Sequence, residues 1–437
     1  MLSAELNKQL TETGPGTPCG DLLRHYWQPA ALSEELDGSR PAVAVRLMGE
    51  DLVLFKDDRG RYGLVDRRCP HRGADLCYGR LEDGGLRCPF HGWLFDVHGA
   101  CLEQPAEPAA SNFHRKVRLA SYPCEEFNGI IFAYMGPGAP PPLPGFDCFV
   151  APESHTFAFK GLWECNWLQA VEVGVAPSHA SFLHRYLDDH DPEYGLQFGG
   201  ESGDSGMTQT QVLRDYDCPK INLEETGFGM RLVTTRDISE DTIHVRVTNS
   251  VFPNLIVIPM TSDMCISQWH VPIDDTHCWW YAIFTAFDEE VDKKAMRDQR
   301  RELYTFPDYR SRINKSNQYG FNPEEQRTQT YTGMGLDINV HDQWAVESPG
   351  PIFDRTREHL GTTDKGIIAL RKNLLRGMKG LADGAPPPYQ LSSENAGQFT
   401  GPMAIDTTTP RENWQSEWPR HDAQKRERSL WANKPGS

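Results

Sequence analysis

The chain has 437 residues, 44 Lys+Arg against 61 Asp+Glu, a formal net charge of −17 and 38% hydrophobic residues. Such length predicts two or three domains with a large core, and the acidic surplus repels phosphate backbones and anionic headgroups, so neither nucleic acid nor a membrane surface is expected as a partner. The first residues lack a basic stretch followed by an apolar one, and no window nears the ~18 unbroken apolar residues of a spanning helix. A soluble, cytoplasmic protein is expected. The cysteine count is 11, and an odd number disfavours a closed disulfide framework, so most are expected as buried, reduced thiols.

In chain order, residues 1–40 read as helix and loop, interrupted by Gly14-Pro15-Gly16-Thr17-Pro18. Residues 41–135 carry short alternating strands, including 43–47, 51–55, 62–65 and 129–135, separated by turn residues such as Asp57-Asp58-Arg59-Gly60. They predict a small antiparallel β domain. The Pro-rich stretch 136–144 predicts a stiff linker. Residues 145–380 read as a second, α+β domain. Within it, 164–187 is helix-like but holds Gly174 and Pro177, 208–285 is β-rich, and 289–304 and 367–379 read as charged helices. Residues 381–437, rich in Pro, Ser and Thr at their start, predict an extended tail.

Two short segments carry chemistry. Cys69-Pro70-His71 and Cys88-Pro89-Phe90-His91 each offer one thiolate and one imidazole. Two such loops can pinch a [2Fe–2S] unit, with Cys69 and Cys88 on one iron and His71 and His91 on the other. Neutral imidazoles lower the cluster's negative charge and raise its potential. A structural zinc also takes two Cys and two His, but zinc sites usually pair like ligands within a loop. Trp93 and the glycines after each histidine suit a shielded cluster.

At these residues the sequence resembles the Rieske-type aromatic-ring-hydroxylating oxygenases. With Gly14–Pro18 and the later segment Glu347-Ser348-Pro349-Gly350-Pro351-Ile352-Phe353-Asp354-Arg355, it is similar to their phthalate dioxygenase branch. The resemblance implies an N-terminal all-β Rieske domain and a C-terminal catalytic domain built around one mononuclear Fe(II).

His179 and His184 are the candidate iron histidines. Five apart, they lie about 140° around a regular helix and converge only if it is distorted. A histidine pair at this spacing is weak evidence alone. Two histidines and a carboxylate leave iron(II) open positions for O2 and substrate. The resemblance places the carboxylate at Asp342, with Glu347 the competing choice and Glu172 a remote third, and reads His341 as supporting or structural. One departure stands out. The family usually has an acidic residue three before its first iron histidine, linking that histidine to a cluster histidine across a subunit boundary. Here the position is Ala176, and Glu172, Asp188 or a water are the candidate substitutes.

Gly333-Met334-Gly335 does not follow the dinucleotide-binding pattern, so NAD(P)H is expected only indirectly, through a separate flavin and [2Fe–2S] reductase or a ferredoxin. The resemblance further implies a homotrimer, or a dimer of trimers, in which one subunit's cluster serves the next subunit's iron. It also points to Arg231 and Arg246 as holders of a substrate carboxylate, against a bland reading as surface ion pairs. The expected activity is oxidation of an aromatic carboxylic acid by O2, either ring dihydroxylation or O-demethylation of a methoxylated, even biaryl, acid. The competing class is an electron carrier with an idle second domain.

Overall fold

Alternating side chains from residue 42 onward build antiparallel sheets, each with one face turned inward. The computed structural model describes residues 1–36, 41–187, 202, 206–392, 395–396 and 400–432. Strands Ala42–Leu47, Glu50–Lys56, Tyr62–Asp66 and Ser121–Tyr122 form one four-stranded sheet. Arg80–Glu82, Gly85–Arg87, Leu94–Phe95 and Cys101–Glu103 form a second. A small core of Val53, Phe55, Val65, Leu86 and Phe95 fills this unit and includes Cys69 and Cys88. Pairing begins earlier than the expected residue 41, because Gln28–Leu32 joins Ile130–Ala133. The proline linker is fastened to the body: Trp27 Nε1 donates to the Pro141 carbonyl at 2.8 Å, and the Tyr134 hydroxyl to that of Pro137 at 3.1 Å.

The second unit is one large sheet covered by helices, giving the α+β class expected. Its longer strands in this part of the chain are β1 (Thr156–Trp163), β2 (Lys220–Thr226), β3 (Gly229–Asp237), β4 (Thr242–Val251), β5 (Leu255–Pro259), β6 (Met264–Pro272) and β7 (Cys278–Ala286). They run in the order β2-β3-β4-β5-β6-β7-β1, and β2 to β7 form an antiparallel meander. The helices that bear on the site are α1 (Trp167–Gly174), α2 (Lys293–Leu303), α3 (Ile338–Glu347) and α4 (Lys365–Ala382). A shared core runs from Leu22 and Leu54 through Trp167 and Ile256 to Trp280. No helix among the described residues is long and apolar enough to cross a membrane.

Two readings need correction. The stretch 164–187 is not one bent helix. Asn166 caps α1 by accepting the Leu168 amide, and the helix stops at Gly174. A single 3-10 turn follows at His179–Ser181. The break is held from outside by α4, whose Gly366 lies so close that a Cβ there would sit 2.2 Å from the Val175 carbonyl.

The tail is not merely extended either. Its Pro-rich start hid a strand, β8 (Ile405–Pro410), and a helix, α5 (Trp414–Arg428). Strand β8 pairs antiparallel with the first half of β4, whose last residues pair with β5. Trp418 of α5 packs on Val233, Val245 and Val247 of the sheet. Deleting residues 400–432 is therefore expected to lower the thermal midpoint by more than about 5 °C or abolish cooperative unfolding. Circular dichroism melts check this, and an unchanged midpoint would mean that the tail is an appendage.

Candidate metal centres and the active-site cavity

The first site is built from two matching loops. The Cys69 amide donates to the Ala74 carbonyl and the Gly73 amide to the Cys69 carbonyl, both at 2.8 Å. In the second loop, Cys88 donates to Trp93 at 2.8 Å and Gly92 to Cys88 at 2.9 Å. Gly73 and Gly92 close these turns at φ +74° and +79°, a region that favours glycine. Cys69 and Cys88 are buried side by side, and the His71 and Arg72 amides point at the Cys69 sulfur. Burial pushes the free Cys69 thiol up to about 11, with those amides pulling the other way. The His71 and His91 rings approach to 4.2 Å between centroids, and buried Trp93 stacks on His71 at 4.6 Å.

The second site lies beyond the end of α1. His179, His184 and Asp342 each offer a ligand atom within 4.8 Å of the other two. Among the described residues no other His, Cys, Asp or Glu trio converges so tightly, the two-cysteine, two-histidine set included. A single zinc requires four donors around one point, whereas two irons leave sulfurs and imidazoles apart, so the first site fits a two-iron unit. At the second site, Asp342 Oδ1 lies 3.3 Å from His184 Nε2 and 3.8 Å from His179 Nε2, yet it is buried and makes no properly aligned hydrogen bond. An orphaned carboxylate oxygen facing two imidazole nitrogens fits a divalent cation.

Outer hydrogen bonds set the tautomers. His179 Nδ1 is held by the Ala176 carbonyl, which leaves Nε2 facing Asp342. His341 Nε2 donates to the Gly335 carbonyl at 2.9 Å, so its Nδ1 accepts from His184 Nδ1 at 3.4 Å. His184 Nε2 is thereby also turned inward. Burial lowers His179 and His341 to about 4, against the pull of Asp342 on His179, so both rings are neutral near pH 7. Burial raises the Asp342 carboxyl, but the neighbouring histidines outweigh it and hold it below its ordinary value. His341 thus bridges His184 and the Gly335 carbonyl.

The two competing carboxylates are engaged elsewhere. Glu347, five residues beyond Asp342 on α3, points about 140° away around the helix. It accepts from the Glu164 amide, the Gln343 side chain and the Tyr319 hydroxyl at 2.7–2.8 Å. Glu172 is locked between Arg355, at 2.8 Å, and Arg371, at 2.6 Å. It is neither an iron ligand nor a substitute for the missing carboxylate at 176, while Asp188 lies outside the described residues.

A cavity of about 270 Å³ opens from the triad. Leu232, Ile258, Met260, Ile266 and Phe284 form much of its apolar wall. Of the two expected arginines only Arg246 lines it. Side chains alternate along a strand, so Leu232 faces the cavity and Arg231 the opposite side, where it pairs with Glu224 at 3.1 Å and stacks on Trp418. Arg246 is saturated by Asp406 Oδ2 at 2.7 Å, Gln209 Oε1 at 3.2 Å and the Pro259 carbonyl at 2.9 Å. A third arginine, Arg300 of α2, also lines the cavity and is 4% exposed. In sequence it was one more charge in the helical stretch 289–304. The rings of Phe159, Trp280 and Phe284 surround it.

Comparison with known proteins agrees with this architecture. The family model of the Rieske [2Fe-2S] domain matches residues 26–123, and that of the LigXa C-terminal domain like family matches 133–428. The 5,5'-dehydrodivanillate O-demethylase oxygenase subunit of Sphingobium sp. (strain NBRC 103272 / SYK-6) is 34% identical over 401 residues, 89% of this chain and 83% of that protein. The phthalate 4,5-dioxygenase oxygenase subunit of Pseudomonas putida is 34% identical over 396 residues, 86% of each chain. The crystal structure of dicamba monooxygenase bound to dicamba aligns with TM-score 0.56 at 16% identity, covering 83% of this chain and 98% of that one, and shares the fold.

Replacing His341 by Ala releases the Nδ1 hydrogen of His184 and frees that ring to turn. Iron(II) affinity at the triad is expected to fall about 10- to 100-fold while the cluster's visible absorbance persists. Metal titration of the apo-triad protein measures this, and unchanged affinity would assign His341 to packing alone.

Proposed function

The chain belongs to the Rieske non-haem iron oxygenases, as an oxygenase subunit, and from that premise we propose that it oxidises an aromatic carboxylic acid at His179, His184 and Asp342. The observation that carries the assignment of these residues is the buried Asp342 Oδ1 that faces two inward-turned Nε2 atoms without an aligned hydrogen bond, at the end of a largely apolar cavity. Cys69, Cys88, His71 and His91 would hold the cluster, and the triad the mononuclear iron. When bound, the cluster relays electrons and the iron(II) activates O2.

The chain's own residues supply the rest. His341 and the Ala176 carbonyl fix the two imidazoles as neutral donors aimed at one point. Two neutral imidazoles and one carboxylate would leave a divalent ion held here with one net positive charge and open to O2. Ile258, Ile266 and Phe284 exclude water from an aromatic ring and hold it against the triad. Each turnover takes O2, two electrons and two protons. A methoxyarene then gives a phenol, formaldehyde and water, whereas direct attack on the ring gives a cis-dihydrodiol.

The electrons come from a separate protein. We assign that role to a flavin and [2Fe–2S] reductase or a ferredoxin drawing on NAD(P)H, which places the reaction in the cytoplasm. The subunits assemble as a trimer, or a dimer of trimers. Exposed Phe90 and Phe113, against His91 and Trp93, give the cluster end an apolar rim for docking.

A single turnover tests the reading. Chemically reduced, iron-loaded protein is mixed with heavy-isotope O2 and methoxylated or plain aromatic acids, and cluster reoxidation is followed by absorbance. Substrate-dependent reoxidation with label in the phenol, formaldehyde or diol is expected. Asp342→Ala should keep the cluster spectrum, reduce iron from near three per chain to near two, and form no product. Wild-type protein with about two irons that reoxidises without product would instead be an electron carrier.

A further inference from the structure

We propose that Arg300 is the counter-charge for the substrate's carboxylate, an assignment that rests on the oxygenase reading and names the group that selects an acid over a neutral ring. Helix α2 makes the contrast visible. Lys293 pairs with Glu153, Lys294 with Asp298, Arg297 with Glu34 and Arg301 with Asp298. These cations face water or its edge. Arg300 is the buried one, and neither its Nε nor its Nη1 makes a hydrogen bond. Its guanidinium lies 5.4 Å from the Phe159 ring centre, 5.9 Å from that of Trp280 and 5.6 Å from that of Phe284, and the neutral Tyr304 phenol is its one hydrogen-bonding side chain among these neighbours.

Aromatic faces attract a cation but do not replace the hydration and hydrogen bonds that a guanidinium loses on burial. An anion entering the cavity does replace them, and it meets Arg300 on the same wall system that ends at the triad. The other arginines are less suited. Arg246 has its charge matched by Asp406, and Arg231 faces away. Arg236, also buried without hydrogen bonds, shares the field of Asp406 and is not part of the cavity wall. The ligand class that fits is an aromatic ring bearing one carboxylate. Its ring lies against Ile258, Ile266 and Phe284, and its oxidisable group faces His179 and His184.

The test is equilibrium binding, without turnover. Cluster-containing, iron-loaded wild type and the Arg300→Gln and Arg300→Met variants are titrated anaerobically by calorimetry with 3-methoxybenzoate and with its neutral counterpart 3-methoxybenzamide. Wild type is expected to bind the acid at least about tenfold tighter than the amide. Both variants should lose about 10- to 100-fold for the acid and stay within about twofold for the amide, which also certifies their folding. Arg300→Met should melt no lower than wild type without ligand, because it removes an uncompensated buried charge. A purely structural arginine would lower that midpoint instead. Acid affinity undiminished in both variants, or a wild type that does not prefer the acid, overturns the assignment. If labelled product still forms from another substrate in the single-turnover experiment, the oxygenase reading survives that failure.

Discussion

The catalytic unit depends on a neutral quartet of charges: Glu172, Arg355 and Arg371, which are buried, and Glu358, which is half-buried. Glu172 reaches out from α1 to both arginines, and Arg371 of α4 turns a second time to Glu358. Arg355 is fully buried and also donates to Asn7 near the N-terminus. Two carboxylates and two guanidiniums cancel, so the group tolerates burial, but removing one member strands its partners at a cost of about 3–5 kcal/mol. The quartet therefore enforces position more than it adds stability. It binds α1 to α4 and to the loop after α3. The Gln169 amide, which donates to the Val346 and Gly350 carbonyls, closes the same joint. The turn bearing His179 and His184 and the helix bearing Asp342 are thus fixed to one another by groups that touch no iron.

The same economy of charge shapes the cavity. A chain with net charge −17 keeps two arginines on the cavity wall and treats them differently. Asp406 stands directly opposite Arg246 in the β4–β8 register and also receives His244 and Ser202. Its pKa is pushed down, since burial is outweighed by His244 and Arg246. That contribution is present above the ordinary carboxylate pKa of about 4 and is lost as pH falls below it. The C-terminal strand thereby neutralises one cavity cation permanently. Arg300 has no such strand beside it, and the difference between the two arginines is a difference of topology.

What could be read in advance follows the range of the interactions involved. The cluster loops are local: each Cys–His pair lies within four residues and each turn is closed by its own glycine, so spacing alone revealed them. The candidate iron site is half local. A distortion at Gly174 and Pro177 was legible but the end of the helix there was not, whereas the preference for Asp342 over Glu347 rested on resemblance, and the helical angle that sends Glu347 to Tyr319 agrees with it. Arg231 and Arg246 could not be separated without the strand register that decides which face each takes. The tail strand and Arg300 were hidden for a common reason. Each acquires its meaning from partners more than a hundred residues away, Arg246 for Asp406 and Phe159 for Arg300.

The alanine at 176 also acquires a definite meaning from geometry. In the family the resemblance points to, a carboxylate here does two jobs: it orients an iron histidine and reaches a cluster histidine. The turn after α1 divides them. The backbone carbonyl of residue 176 already holds His179 Nδ1, and the His179 amide donates to that same carbonyl at 3.1 Å. A backbone oxygen is present whatever side chain the position carries, so the orienting job survives the loss of the carboxylate. Glu172, four residues earlier, cannot take over the reaching job, because withdrawing it would leave two arginines uncompensated in the core. The orientation of His179 is thus set by the backbone at 176 and not by the side chain that the position carries.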